Sequence, residues 1–193
     1  MYMNRRTSIK LILFFGTLGV FSYSIFDWFS FNEVIDGKSF YPYKNLIADL
    51  AETIIPQTDT PGAKDAKVED FILKMLEFCT EPRTQHKFLT GLVELGQYTI
   101  NNYNQTFLKC TKADKIAILN HFEDQSKYSI NIINKFNNKF LGKPFFVKLK
   151  ELTAEGYCTS QLGATKGLAY DYIPSSYQAC IPLKKNQKSW ATK

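Results

Sequence analysis

Apolar residues recur at three- and four-residue intervals through most of this chain, broken by proline, glycine and short polar clusters. That spacing is the period of a helix with one buried face, and it makes the fold class all-α. Leu46, Ile47, Leu50, Ala51, Ile54 and Ile55 share one face, Pro42 suits a first turn and Pro56 stops the run. A helix is therefore expected from Pro42 to Ile55. Gln57 to Ala63 reads as a loop of residues that bond locally or fix the backbone. A second helix fits Val68 to Cys79, with Val68, Phe71, Ile72, Met75, Leu76 and Cys79 inward. Thr80-Glu81-Pro82 breaks it.

A third helix is expected from Arg83 to Tyr103, with Phe88, Leu92, Leu95 and Thr99 as its stripe. Gly91 and Gly96 either weaken it or permit close approach. Thr111-x-x-Asp114 resembles a capping box and opens a fourth helix through Ile116, Ile118, Leu119 and Phe122. Ile130 to Phe140 reads as a further helix, and the last runs from Pro144 to about Tyr157. The whole is a small domain of five or six helices followed by a long irregular aromatic tail over residues 158–193. Asp27 to Tyr41, with little period, reads as a linker.

The start of the chain is of another kind. Asn4-Arg5-Arg6-Thr7-Ser8-Ile9-Lys10 precedes an uncharged apolar run from Leu11 to Phe26. A basic start followed by an apolar stretch is the layout of a secretory signal. The paired Arg5 and Arg6 point to the twin-arginine route, which moves folded cargo. Residues 1–30 are read as this signal or an anchor, and residues 31–193 as one helical domain. Ser22-Tyr23-Ser24 offers a small-x-small cleavage site. The alternative is an uncleaved tether that extends past Asp27 through Trp28, Phe29 and Phe31, aromatics suited to a membrane interface.

The net charge of +6 includes Arg5, Arg6 and Lys10 of the leader. What remains is too mild to indicate nucleic acid. Cys79, Cys110, Cys158 and Cys180 make an even count in an exported chain, which suggests disulfides. Cys79 with Cys110 and Cys158 with Cys180 would each close a local loop; buried free thiols are the other reading. None forms Cys-x-x-Cys, so a metal or redox centre has little support. His86 and His121 lie in predicted helices without a second ligand or base at useful spacing. No dinucleotide loop, phosphate loop, nucleophile elbow or covalent haem signature is present. Asp49 and Glu52 share a helix flank and read as a solvated face, and Asp59 as a turn former. Asn104-Gln105-Thr106 fits a glycosylation sequon, of little weight behind a bacterial type of leader.

Three blocks give the chain a relative. Ala51-Glu52-Thr53-Ile54-Ile55-Pro56-Gln57-Thr58-Asp59-Thr60-Pro61-Gly62-Ala63 resembles the signature of the gluconate 2-dehydrogenase subunit 3 family. Leu149-Lys150-Glu151-Leu152-Thr153 with Gly156-Tyr157-Cys158-Thr159-Ser160 agrees, as do Tyr170-Asp171-Tyr172-Ile173-Pro174, Tyr177, Cys180 and Pro182. The resemblance implies a non-catalytic small subunit that binds no cofactor of its own. Its large partner would be an FAD flavoprotein of the glucose–methanol–choline class acting on a sugar or sugar acid. A cytochrome c subunit with haem c would take the electrons. The small subunit would assist maturation of the flavoprotein and carry it to the twin-arginine translocase, which places the complex in the periplasm at the inner membrane. Tyr157, Tyr170, Tyr172, Tyr177 and Trp190 are the candidate partner interface, since buried aromatics dominate interface energetics; self-packing is the alternative. Two competing readings are a structural protein held in the envelope by its leader, and a small stand-alone enzyme using Asp59 or Glu52.

Overall fold

The computed structural model describes residues 35–126, 142–173, 180, 182–183 and 185–191. The chain divides into two units, Met1–Ile35 and Asp36–Lys193, and the architecture below is that of the second. It is built of helices, with no strand among the described residues. Among the described residues five are α-helices: α1 Lys44–Ile54, α2 Val68–Phe78, α3 Pro82–Tyr103, α4 Lys112–Ser126 and α5 Phe145–Thr159. The all-α expectation is met, and the expected helix over 130–140 lies outside the described residues.

The start differs from the expected linker. Asp36 Oδ1 accepts a hydrogen bond from Lys38 N at 3.1 Å, and a 3₁₀ turn then runs over Gly37–Tyr43. Its Phe40 is fully buried and meets the edge of Phe88, ring centroids 6.2 Å apart. Phe40 is a single anchor without helical neighbours, so no periodicity announces it. Pro42 falls inside this turn, and α1 begins at Lys44.

The helix boundaries have local causes. Lys67 takes a left-handed φ of 52° just before α2, whose first turn carries Glu69 and Asp70 against the positive end of the helix dipole. Pro82 stands at the start of α3, where a missing N–H costs nothing. Asn104 ends that helix in the left-handed region, φ 52°, so the sequon asparagine is a helix cap. At α4 the Thr111 hydroxyl accepts from Asp114 N at 3.3 Å and donates to the Asp114 carboxylate at 2.6 Å. The hydroxyl thus makes its half of the expected capping box, while the Asp114 carboxylate meets that hydroxyl instead of the Thr111 backbone N–H.

Helix α5 is the hub and packs on α3, α2, α4 and α1. Its Leu149 and Leu152 meet a core that includes Leu50, Ile72, Leu76, Leu92 and Ile118, all fully or almost fully buried. Each such side chain contributes about 1.5–3 kcal/mol of burial. Edge-on ring contacts continue through Phe88–Phe145 at 5.1 Å and Phe122–Phe145 at 6.1 Å. Gly91 lets α3 approach: a Cβ there would stand 2.3 Å from Phe145 Cβ. Gly96, one helical turn and a half further on, faces nothing within 4 Å. On α2 the inward set gains Leu73 and loses Cys79, which is exposed beyond the helix end.

The expected irregular tail carries some order. One wide π-turn spans Gly163–Gly167. After it Ala169 pairs in parallel with Trp190. Ala169 N donates to Ser189 O, and Ala191 N donates to Ala169 O, both at 2.8 Å.

Candidate functional site

The segment after α1 is the most heavily tied loop among the described residues. Glu52, in the last turn of α1, accepts Gln57 N on Oε1 at 2.8 Å and Lys64 N on Oε2 at 2.9 Å. One carboxylate thus clasps both ends of the loop. Ala63 N donates to Ile55 O at 2.9 Å, which closes its base. Gly62 lies flat on the clasp. A Cβ there would stand 2.5 Å from both Glu52 oxygens and 2.7 Å from Gln57 N, so only glycine fits. Asp65 Oδ2 accepts from Gly62 N at 3.0 Å. Asp59, at the exposed tip, accepts from the Thr58 hydroxyl at 3.0 Å, in keeping with a turn former.

A second attachment comes from far along the chain. The Tyr157 hydroxyl, on α5, donates to the Pro61 carbonyl at 2.7 Å. The π-turn closes over the same tyrosine. A Cβ on Gly167 would stand 2.6 Å from its hydroxyl oxygen, and one on Gly163 would overlap its carbonyl. Tyr157 therefore joins the loop, α5 and the start of the tail. This corrects its expected place in a partner interface: it is only 7% exposed and packs inside its own fold.

Asp49 corrects the expected solvated flank. It is buried although it lies off the Ile47–Leu50–Ala51 face of α1, and its two oxygens carry Lys64 Nζ and Lys115 Nζ. Burial pushes its carboxyl up, but the two ammoniums outweigh that and hold it below the ordinary carboxylate value. Lys115 also lies 5.6 Å above the Phe107 ring. Sequence reasoning missed both lysines, because neither is near Asp49 in the chain. Position gave no sign of it either, since Asp49 falls on the flank turned away from Ile47, Leu50 and Ala51.

Asp49, Glu52, Thr53, Pro56, Gln57, Lys112, Lys115 and Ile116 line a cleft of about 360 Å³. Here both oxygens of Glu52 face the loop's own amides and both of Asp49 face ammoniums. The acids of this cleft are structural ties. Among the described residues no three His, Cys, Asp or Glu side chains converge as metal ligands. His121 stacks on Tyr98 at 4.3 Å and has its Nε2 3.0 Å from Gln125 Nε2, while His86 is half-buried on α3.

The remaining expected residues separate. Tyr170, Tyr172 and Trp190 are exposed, at 43%, 82% and 53%. Tyr177, Arg5 and Arg6 lie outside the described residues. All four cysteines are free thiols, so neither the Cys79–Cys110 nor the Cys158–Cys180 bridge is formed. Cys110 is buried with its thiol 3.5 Å from the Thr106 carbonyl, whereas Cys79, Cys158 and Cys180 are exposed. Among the described residues no helix is long and apolar enough to cross a membrane.

A family model described as gluconate 2-dehydrogenase subunit 3 matches residues 43–174. The chain belongs to the gluconate 2-dehydrogenase subunit 3 family. As a member it is an accessory subunit of a dehydrogenase complex and associates with other subunits of that complex. No curated protein and no solved structure matches it. The part that makes this a subunit 3 chain runs from Tyr43, just before α1, to Pro174 in the tail. It contains the Glu52 clasp, the Asp49 ion pairs and the Tyr157 attachment. Tyr177, Cys180 and Trp190 lie beyond it.

Proposed function

We propose that this subunit is a non-catalytic escort for an FAD-containing flavoprotein of the glucose–methanol–choline class, which oxidises a sugar or sugar acid. It packs against the flavoprotein in the cytoplasm, assists its maturation, and lends it Arg5 and Arg6 for passage through the twin-arginine translocase. The complex then works in the periplasm at the inner membrane and passes electrons to a cytochrome c subunit. FAD belongs to the partner in this reading, and haem c to the third subunit.

The observation that carries the proposal is the family match over the helical body, in a chain whose cleft acids are bound to its own backbone and lysines. Its polar chemistry is directed at holding a shape. Exposed Tyr170, Tyr172 and Trp190 give that shape something to hold a partner with.

The test is the fate of the flavoprotein. Tagged chain is expected to co-purify a yellow flavoprotein, and Arg5→Lys, Arg6→Lys should leave dehydrogenase activity in the cytoplasm instead of the periplasm. Unchanged periplasmic activity in that variant removes the escort reading. Turnover of a sugar by the purified chain alone, lost in Asp59→Asn, supports the enzyme reading instead.

A further inference from the structure

The tail concentrates the chain's charge. Lys166, Lys184, Lys185, Lys188 and Lys193 against Asp171 give residues 161–193 a net +4, out of +6 for the whole chain. The helical body before it, residues 36–160, has sixteen basic and fifteen acidic residues and a net +1. The same tail carries the most exposed apolar side chains of the described residues: Leu183 at 88%, Tyr172 at 82% and Ile173 at 71%, against Phe78 alone at 75% elsewhere. Phe78, Ile100 and Leu108 are on three separate elements, the scatter usual on any surface.

The tail is also fixed in place. The Ala169–Trp190 pairing sets residues 166–172 beside residues 188–191. Lys188 Nζ donates to the Lys166 carbonyl at 2.7 Å and adds a side-chain tie. Two separate stretches thus present exposed Tyr170, Tyr172 and Trp190 together with the ammoniums of Lys166, Lys185 and Lys188.

We propose that this paired tail is the subunit's docking face, and that the surface it meets on the flavoprotein is an apolar patch rimmed by Asp and Glu. The inference rests on the escort reading and adds the place and the chemistry of contact. Rings exclude water at the centre, and the lysines select and orient an acidic partner. An anionic bilayer would also attract lysines and aromatics. The exposed carboxylate of Asp171, set between Tyr170 and Tyr172, decides against it. A uniformly anionic bilayer places no fixed donor at that one position, whereas a folded protein surface can set one there inside its acidic rim.

The experiment uses the full chain, tagged and co-expressed with the flavoprotein subunit of its complex, with capture measured from low to high salt. Wild-type capture is expected to fall as salt rises. Lys185→Glu with Lys188→Glu should reduce low-salt capture about tenfold, and Trp190→Ala by a similar factor. Helical circular dichroism should stay unchanged in both, and Lys185→Arg with Lys188→Arg should restore capture. Undiminished capture by both variants overturns the docking face and leaves the escort reading intact. Absence of flavoprotein from wild-type capture removes the escort reading itself, and this inference with it. Lysine-dependent sedimentation of the chain with phosphatidylglycerol vesicles assigns the face to the membrane and overturns the proposal.

Discussion

Asp49 holds two ammoniums from a buried place on α1, and its replacement reports what they contribute. Asp49→Asn leaves Lys115, whose side chain is 16% exposed, beside an amide that carries no charge, while Lys64, 46% exposed, turns to water at little cost. A loss of about 1–3 kcal/mol in a urea titration is expected, most of it from the Lys115 arm. The pH dependence has a definite sign. A carboxyl held low in the native state adds stability above its unfolded value of about 3.9, and that stability disappears as pH falls through the lower native value. The wild type should therefore lose more stability than Asp49→Asn on acidification below pH about 4. Cys110 answers to alkylation. Burial pushes its thiol up and keeps it neutral, so in the reduced protein iodoacetamide should modify Cys79, Cys158 and Cys180 first. Cys110 should react only as the domain unfolds.

Helix α3 carries two glycines that ought to respond in opposite directions. Gly91→Ala drives a methyl into Phe145 at 2.3 Å and should destabilise by about 1–3 kcal/mol, because two packed helices must part. Gly96→Ala meets open space and should stabilise by about 0.5–1 kcal/mol through helix propensity alone. Thermal melts of the two variants side by side check the pair. The sequence showed that α3 exists and which face it buries, since Phe88, Leu92, Leu95 and Thr99 repeat at helical spacing and all are buried. It did not tell the two glycines apart, because the difference lies in Phe145, on another helix. Phe40 escaped for a related reason: one aromatic on a short 3₁₀ turn has no period to betray it. Boundaries read best where a residue acts on its own backbone, as at Pro82 and Thr111.

At the scale of the molecule, the hydrophobic core of the described residues ends at Tyr157, with the π-turn glycines closed over that residue. A chain that stops after Ala169 should therefore keep its helical circular dichroism and melt within a few degrees of the full protein, yet capture far less flavoprotein. The functional region was legible in part. The Glu52-to-Ala63 block stood out as a signature, but its purpose as a clasp needed the fold, since Lys64 N and Gln57 N meet Glu52 only after the loop has turned. Tyr157 was expected to meet another protein because aromatic residues in a tail look alike until their neighbours are known. The hydroxyl contact that decided its place spans 96 positions of chain. That span gives the protein a schedule. While the ribosome is still making the middle of the polypeptide, the early loop waits without its last fastening, and closure comes only once the final helix has been synthesised. Completion of this small body thus reports that the chain has been translated through α5, so the loop and the last described helix are fastened in one closing event.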